Sequence, residues 1–222
     1  MHVTERRRVV GQYDASTYGE HIAEVYDDWY VGLEKDAVVE RLAELAGRGP
    51  VLELGIGTGR IALPLQERGI AVHGIDASAA MVARLRAKPG GERLPVTIGD
   101  FADVGVEGEY SLIFIVFNTI FALTTQEDQL RCFANVARKL ARTGLFVFDA
   151  FVPDLSRFDR GQRLGLEGFE PDGVRLEASR HDPVHQRVVT RHVLLSEQGF
   201  KFYPLVTRYA WPSELDLMAR LA

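Results

Sequence analysis

Residues 51 to 60, VLELGIGTGR, combine an acidic side chain with a glycine loop, and both features can serve ligand chemistry. VLEL suits a buried strand, and Gly55, Gly57 and Gly59 follow it at alternate positions. Glycines at the end of a parallel strand present backbone N–H groups and let a ligand approach closely. Glu53 places a carboxylate in a strand that should bury apolar side chains. A ligand with an ammonium or sulfonium centre would explain this carboxylate, because its charge is complementary.

The spacing of the glycines differs from the dinucleotide-binding pattern. That pattern is G-x-G-x-x-G, and it holds a pyrophosphate at a helix N-terminus. Here the third glycine, Gly59, comes one position early, and Glu53 has the wrong charge for a neighbouring pyrophosphate. An NAD-dependent oxidoreductase is therefore the weakest of the alternatives for this chain.

Strands and helices are predicted to alternate between residues 49 and 152. Five apolar segments read as buried strands, with helical segments between them: VLEL, IAVHGID, LPVTIGD, YSLIFIVFN and LFVFDAF. Ser78 is the predicted cap of a helix that runs to about Arg86, and Thr124 to Glu127 fits a capping box. Strands that are apolar on both faces indicate a parallel sheet covered by helices. We therefore predict a doubly wound, Rossmann-like α/β fold.

Three further parts are expected around this core. Residues 1–48 are rich in tyrosine and acidic side chains and are predicted to form an N-terminal helical lid. Residues 153–212 are predicted to form an antiparallel β subdomain inserted after the fifth strand, with a loop over 153–173 and then two or three strands. Residues 213–222 are predicted to be a closing helix of the core.

ELGIGTG matches the first motif of the class I S-adenosylmethionine-dependent methyltransferases, E/D-x-G-x-G-x-G, at every fixed position. Three further matches follow in the expected order: Asp76 in VHGIDAS, Asp100 in GDFAD, and the segment FIVFNTIF. The chain resembles this family most strongly over residues 38 to 151. The resemblance implies that S-adenosylmethionine is the cofactor, that S-adenosylhomocysteine is its product, and that no metal is needed.

The resemblance also implies roles for individual residues. Asp76 would accept hydrogen bonds from the ribose hydroxyls, and Asp100 would bind the adenine amino group, with Phe101 lining the adenine slot. The lid tyrosines resemble those of small-molecule members, although each can equally be an ordinary packing residue. The implied catalytic residues are Tyr18 and Asn118, and the implied cofactor-binding residues are Tyr26, Glu53, Gly55, Gly57, Gly59, Asp76, Ala77, Met81, Asp100, Phe101 and Phe117.

The acceptor is expected to be a small molecule that is methylated on nitrogen, or less favourably on oxygen, by in-line displacement. Alignment of the reactants would supply most of the catalysis. A nucleic-acid acceptor is disfavoured, because NTIF replaces the Pro-Pro-aromatic segment of amino-methylating members and the net charge is −5. A catalytically silent cofactor-binding module, acting as a regulator or partner, is the second reading. His192, on a predicted strand, could face the pocket, but a structural or surface role is favoured.

The remaining expectations concern location and assembly. The single cysteine, Cys132, is predicted to be a core residue of a cytoplasmic protein, and no apolar run is long enough to span a membrane. The class I fold has a seven-stranded sheet, and its last two strands are not found in this sequence. We expect the exposed edge of the fifth strand to be covered by a longer chain or by pairing in a homodimer.

Overall fold

The computed structural model describes residues 13–31, 35–170 and 173–222. A parallel sheet lies at its centre, with strands β1 (Val51–Leu54), β2 (Val72–Asp76), β3 (Val96–Ile98), β4 (Tyr110–Ile115) and β5 (Leu140–Phe148). The strand order is β3-β2-β1-β4-β5, and every neighbouring pair is parallel. The predicted doubly wound fold is confirmed. The order reverses between β1 and β4, so their carboxyl ends border a crevice suited to a ligand.

Seven α-helices are present in the described residues: α1 (Thr17–Ile22), α2 (Tyr26–Trp29), α3 (Lys35–Ala46), α4 (Ala62–Glu67), α5 (Ala79–Arg86), α6 (Gln126–Lys139) and α7 (Pro212–Leu221). The predicted cap of α5 is confirmed, because Ser78 Oγ accepts the N–H of Met81 at 3.1 Å. The capping box of α6 was placed one residue too early. Thr125, not Thr124, is the cap, because its hydroxyl exchanges hydrogen bonds with the N–H and carboxylate of Asp128.

Alternate residues of the parallel strands supply two hydrophobic cores, one on each face of the sheet. Leu52 and Ile113 pack with α6 and α7 on one face, whereas Val51 and Leu112 pack with α3 and α4 on the other. Cys132 is fully buried in the first core, as predicted. Because both faces are covered by apolar side chains, a charged residue within β1 requires a specific explanation.

A second sheet contains four antiparallel strands, which lie side by side in chain order: β6 (Gln162–Glu170), β7 (Gly173–Asp182), β8 (Arg187–Ser196) and β9 (Gly199–Arg208). The expected loop over residues 153–173 is therefore wrong for its second half, and the expected number of strands was too low. Gly165 and Gly168 interrupt the apolar alternation of β6, and the strand is specified by pairing with β7.

A buried arginine fastens the second sheet to the parallel domain. Arg208, at the end of β9, is 5% exposed; it pairs with Glu214 of α7 at 2.6 Å and donates to the side-chain oxygen of Gln129 in α6. Gln129 in turn donates to the backbone oxygen of Arg208 at 2.8 Å. Every polar group of this junction therefore has a partner, which a buried charge requires.

The described residues bear on two further expectations, the covered edge of β5 and the membrane span. There, β5 pairs with β4 alone, and the homodimer that would cover its edge stays a prediction. No helix in the described part of the chain has the length and apolar character that a membrane span needs.

Loss of the Arg208 guanidinium should strongly destabilise the fold. The substitution Arg208→Met keeps an apolar stem but removes the charge partner of the half-buried Glu214, which keeps only neutral donors. It also leaves Oε1 of the buried Gln129 without its donor. We expect the free energy of unfolding to fall by about 3–5 kcal/mol. Urea denaturation at neutral pH measures this change.

The matched control is Arg131→Met, because Arg131 also has two short ion pairs, with Asp103 at 2.8 Å and Asp128 at 2.7 Å. Its side chain is 43% exposed, so its loss should cost at most about 1 kcal/mol. Equal destabilisation by the two substitutions would contradict the anchoring role of Arg208.

Candidate active site

The three glycines after β1 form a loop with left-handed backbone, with φ of +76° at Gly55, +54° at Gly57 and +78° at Gly59. The Gly55 N–H donates to the Ile75 carbonyl at 2.8 Å, which fastens the loop to β2. A Cβ on Gly59 would lie 3.0 Å from the Leu85 side chain, whereas one on Gly57 would meet no atom closer than 4.0 Å. Gly59 therefore serves packing, and Gly57 borders open space that a ligand can enter.

Asp76, at the end of β2, holds the loop from the other side. Its two carboxylate oxygens accept the backbone N–H of Gly57 at 2.7 Å and of Ser78 at 2.8 Å. Burial raises the pKa of Asp76, and these two hydrogen bonds partly offset that effect. A carboxylate has about four acceptor positions, so Asp76 keeps capacity for two ligand hydroxyls.

Glu53 is 2% exposed, and its Oε2 has no hydrogen-bond partner among the described residues. Burial and the negative charge of Asp76 raise the pKa of Glu53 well above its usual value, although the backbone N–H of Ala62 and the charge of Arg60 oppose them. A buried acceptor without a donor is rare and costly. A cationic ligand group would supply the missing donor, so the residues present fit the cofactor that the sequence implies.

Arg60 supplies the opposite charge at the same place. Its guanidinium lies 4.7 Å from the centre of the Phe117 ring and 5.8 Å from those of Tyr26 and Tyr30. It also donates to the Tyr30 carbonyl at 3.2 Å. Arg60, Glu53, Tyr26 and Phe117 line one small cavity over the glycine loop. This cavity therefore offers both a cation and a carboxylate to a zwitterionic ligand.

Helices α1 and α2 form the lid over this cavity. Acidic side chains of these helices bond to residues of the parallel domain. Glu20 accepts the hydroxyl of Ser78 at 2.8 Å, next to the start of α5. Asp27 accepts the hydroxyl of Thr58 in the glycine loop at 2.6 Å and pairs with Lys88 at 2.7 Å. The lid is therefore attached to the same backbone that surrounds the ligand space.

The lid tyrosines form a hydrogen-bonded aromatic group. The hydroxyls of Tyr18 and Tyr30 are 3.1 Å apart, and the rings of Tyr26 and Tyr30 are 4.8 Å apart. Burial raises the pKa of Tyr18 well above its usual value and that of Tyr26 to about 12. Both phenols are therefore protonated at neutral pH, and they can orient a ligand but cannot serve as bases there.

The predicted adenine side lies next to the glycine loop. Phe101 is buried, and its Cε1 is 4.0 Å from the position of a Cβ on Gly55. Asp100 is half-buried and accepts the N–H of Ala102 at 2.9 Å. Met81 is buried with its Cε 4.0 Å from a Cβ on Gly57, and the half-buried Ala77 directly follows Asp76 in the chain.

Phe117 and Asn118 follow β4 and both adopt φ of +60°, which is unusual for residues other than glycine. The Asn118 N–H donates to Asp149 at 3.1 Å, and its side-chain oxygen accepts the N–H of Phe151 at 2.7 Å. Asn118 thus joins the end of β4 to the segment after β5. Such strained residues concentrate at functional sites.

The comparisons with known proteins agree with this geometry. Residues 51–144 match the family model described as a methyltransferase domain. The solved structure of the CcbJ methyltransferase from Streptomyces caelestis is 41% identical, with 94% of this chain and 87% of that chain covered and a TM-score of 0.87. The chain belongs to the class I S-adenosylmethionine-dependent methyltransferases.

Two curated relatives extend the comparison. The cypemycin N-terminal methyltransferase of a Streptomyces species is 26% identical over 214 residues, which are 94% of this chain and 87% of that protein. The putative methyltransferase YqeM of Bacillus subtilis is 30% identical over 139 residues, and the chain spans about half, 53%, of its length. The family membership removes the oxidoreductase alternative.

The methyltransferase has a second cavity, of about 160 Å³, against one face of the antiparallel sheet. This face, called the inner face, carries Thr190, His192 and Leu205. Phe151, Thr190, His192 and Tyr209 are among its lining residues. His192 is 8% exposed and lines this cavity, which excludes a surface position and agrees with the alternative that it faces the pocket. Its position depends on pairing between strands, which the sequence around His192 does not reveal.

The structure gathers most of the implied cofactor residues of the methyltransferase around one loop. Glu53, Asp76 and Phe117 lie beside the three glycines, and Tyr26 covers them from the lid. Sequence reasoning missed Arg60. Its position directly after the third glycine was the available signal, because that position opens toward the same edge of the sheet.

Replacing the buried carboxylate should separate stability from cofactor binding. Glu53→Gln removes a group that must take up a proton or bury a charge on folding, and it keeps the side-chain size, so the free protein should become more stable by about 0.5–2 kcal/mol. The same change should weaken S-adenosylmethionine binding by roughly 10–150-fold, because a charge-assisted hydrogen bond is lost. Thermal unfolding and calorimetric titration measure the two effects.

The stability of the free protein and its affinity for the cofactor should both depend on pH through Glu53. Between the ordinary glutamate pKa and its raised folded value, the folded protein holds a proton that the unfolded chain has lost, so stability falls as pH rises. Binding of a cation requires the carboxylate, so affinity should fall as pH drops through the raised pKa, and Glu53→Gln should abolish that fall. The exposed Glu44→Gln is the control. Unchanged affinity in Glu53→Gln would remove Glu53 from the site.

Proposed function

We propose that this methyltransferase moves a methyl group from S-adenosylmethionine to a nitrogen of a small molecule, with oxygen as the less favoured target. Oε2 of Glu53, which is buried and has no partner among the described residues, carries the proposal, because a cationic ligand group at the glycine loop would satisfy it. Arg60, on the same cavity, supplies a cation for a carboxylate. Together they complement the amino-acid end of the cofactor.

The other implied residues have roles that suit the remaining parts of the cofactor. Asp76 would accept the ribose hydroxyls while it holds the loop, and Asp100 and Phe101 would bind the adenine. Gly55, Gly57 and Gly59 give the backbone close access, and Ala77, Met81 and Phe117 border the bound molecule. When bound, the cofactor supplies a methyl group already activated on a sulfonium, so this chemistry needs no metal.

The chain's own contribution would be to orient the acceptor. Tyr18 and Tyr26 keep neutral hydroxyls, and the side-chain nitrogen of Asn118 can donate while its oxygen stays bonded to Phe151. Because neither phenol can act as a base at neutral pH, these groups suit an amine that arrives unprotonated better than a hydroxyl that needs a base. The cypemycin relative, named an N-terminal methyltransferase, also supports nitrogen as the target. A cytoplasmic location remains our inference from the single cysteine.

Calorimetric titration with S-adenosylmethionine, S-adenosylhomocysteine and NAD tests the cofactor assignment. We expect micromolar binding of the first two ligands and none of NAD. Asp76→Asn should weaken the adenosyl ligands by about 1.5–3 kcal/mol, because one of two ribose-binding oxygens becomes an amide nitrogen. Asp103→Asn, at a side chain that is 63% exposed, is the control.

Two outcomes would count against the proposal. Equal affinity of Asp76→Asn and the parent protein would remove Asp76 from the ribose site. Tight cofactor binding without release of S-adenosylhomocysteine, over a panel of amines and alcohols, would instead favour the catalytically silent cofactor-binding module.

A further inference from the structure

His192 has a hydrogen-bonding atom that nothing in the described structure satisfies. The residue lies on β8 and is 8% exposed. Its Nδ1 is 2.8 Å from Oε2 of Glu167, whereas its buried Nε2 has no partner among the described residues. A buried polar atom without a partner is costly, so a molecule that occupies the adjacent space would stabilise it.

Glu167 determines which nitrogen of His192 is available. A carboxylate accepts the Nδ1 proton, which leaves Nε2 as a lone-pair acceptor in the neutral ring. Such a carboxylate also fixes the orientation of the imidazole. His192 Nε2 can therefore accept a hydrogen bond from an N–H or O–H group, and Glu167 acts as its positioning residue.

The space beside His192 extends in two directions. One cavity, of about 160 Å³, runs along the inner face of the antiparallel sheet to Phe151, and a second, of about 280 Å³, runs to Trp29 and Tyr30 of the lid. Both are lined by His192 and Glu177. His192 and Glu177 therefore lie where the two cavities adjoin, one against the sheet and one against the lid.

Both cavities end at neighbours of the proposed catalytic residues. The Phe151 N–H is bonded to Asn118 at 2.7 Å, and the Tyr30 hydroxyl is 3.1 Å from that of Tyr18. A molecule held at His192 can thus extend toward the methyl-transfer position from either side.

Glu177, which lines both cavities, has partners of its own. Burial opposes ionisation of Glu177, but the ion pair with Arg163 at 2.5 Å and the hydrogen bond from Ser179 at 2.7 Å hold its pKa below its usual value. Ser179 also bonds to Thr190 at 2.9 Å. Glu177, Ser179 and Thr190 are therefore bonded within this surface. Nε2 of His192 is left available to a ligand.

We infer that the inner face of the antiparallel sheet is the acceptor site and that His192 Nε2 accepts a hydrogen bond from an amine or hydroxyl group of the small-molecule acceptor. This inference rests on the proposed function, because it concerns the second substrate of the same reaction. It makes His192 a specificity residue, since an acceptor without such a donor would leave Nε2 unpaired.

The competing role for His192 is packing, because its ring lies 6.4 Å from that of Trp29 in the lid. Two substitutions separate the roles. His192→Asn keeps a donor that can face Glu167 and removes the group at Nε2, whereas His192→Gln places an amide at the Nε2 position. His185→Asn is the matched control, because His185 also pairs with a carboxylate, Asp182, at 2.7 Å but is exposed between β7 and β8.

The experiment measures release of S-adenosylhomocysteine by the full chain, with glucosamine, L-prolinamide and trialanine as probe acceptors. We expect His192→Asn to raise the acceptor KM about tenfold or more, with kcat and cofactor affinity little changed. His192→Gln should recover part of that loss, Glu167→Gln should raise KM less, and His185→Asn should match the parent protein. A His192→Asn enzyme with the acceptor KM of His185→Asn would overturn the inference, as would equal loss of cofactor affinity in both His192 variants.

A second readout is independent of turnover. Protein labelled with ¹⁵N-histidine and saturated with S-adenosylhomocysteine is titrated with the same three probes, and the His192 signals are assigned from His192→Asn. A saturable shift of the Nε2 signal supports the acceptor site even where no methyl transfer follows, in which case only the proposed function fails. Absence of a shift with all three probes would overturn the inference.

Discussion

The hydrogen bonds between the glycine loop and the end of β2 fix the geometry on which the site depends. The N–H groups of Gly55 and Gly57 are held by the Ile75 carbonyl and the Asp76 carboxylate. The loop has left-handed backbone at both positions, which glycine adopts without steric cost and other residues rarely do. The lid is tied to the same loop through Asp27 and Thr58, so the position of the lid follows from that of the loop.

The cost of this arrangement is concentrated at Glu53. A carboxylate that is 2% exposed, next to the like charge of Asp76, destabilises the free protein. The neighbouring residues in β1, Leu52 and Leu54, are fully buried, and their apolar burial offsets part of this cost. A ligand that brings a positive group removes the penalty on binding, so the instability of the free site becomes affinity for the cofactor.

Residues could be assigned from the sequence where one strand and the turn after it determine their position. This holds for Glu53 and Asp76, which lie in β1 and β2 of the predicted parallel sheet. His192 could not be assigned, because it faces the cavity through its pairing with Glu177 on β7 and Tyr203 on β9. Arg60 was missed for a similar reason, since its surroundings come from the lid and from the end of β4.

The lid joins the two halves of the site through one aromatic cluster. Ile22 of α1 packs with Met81, which borders the glycine loop, and with Tyr203 of the antiparallel sheet. The ring centres of Trp29 in α2 and Tyr203 are 4.7 Å apart. Side chains beside the glycine loop and on the antiparallel sheet therefore belong to one packed cluster. Because protein interiors are close-packed, a shift of α2 over the glycine loop would also move Trp29 against Tyr203, the strand partner of His192.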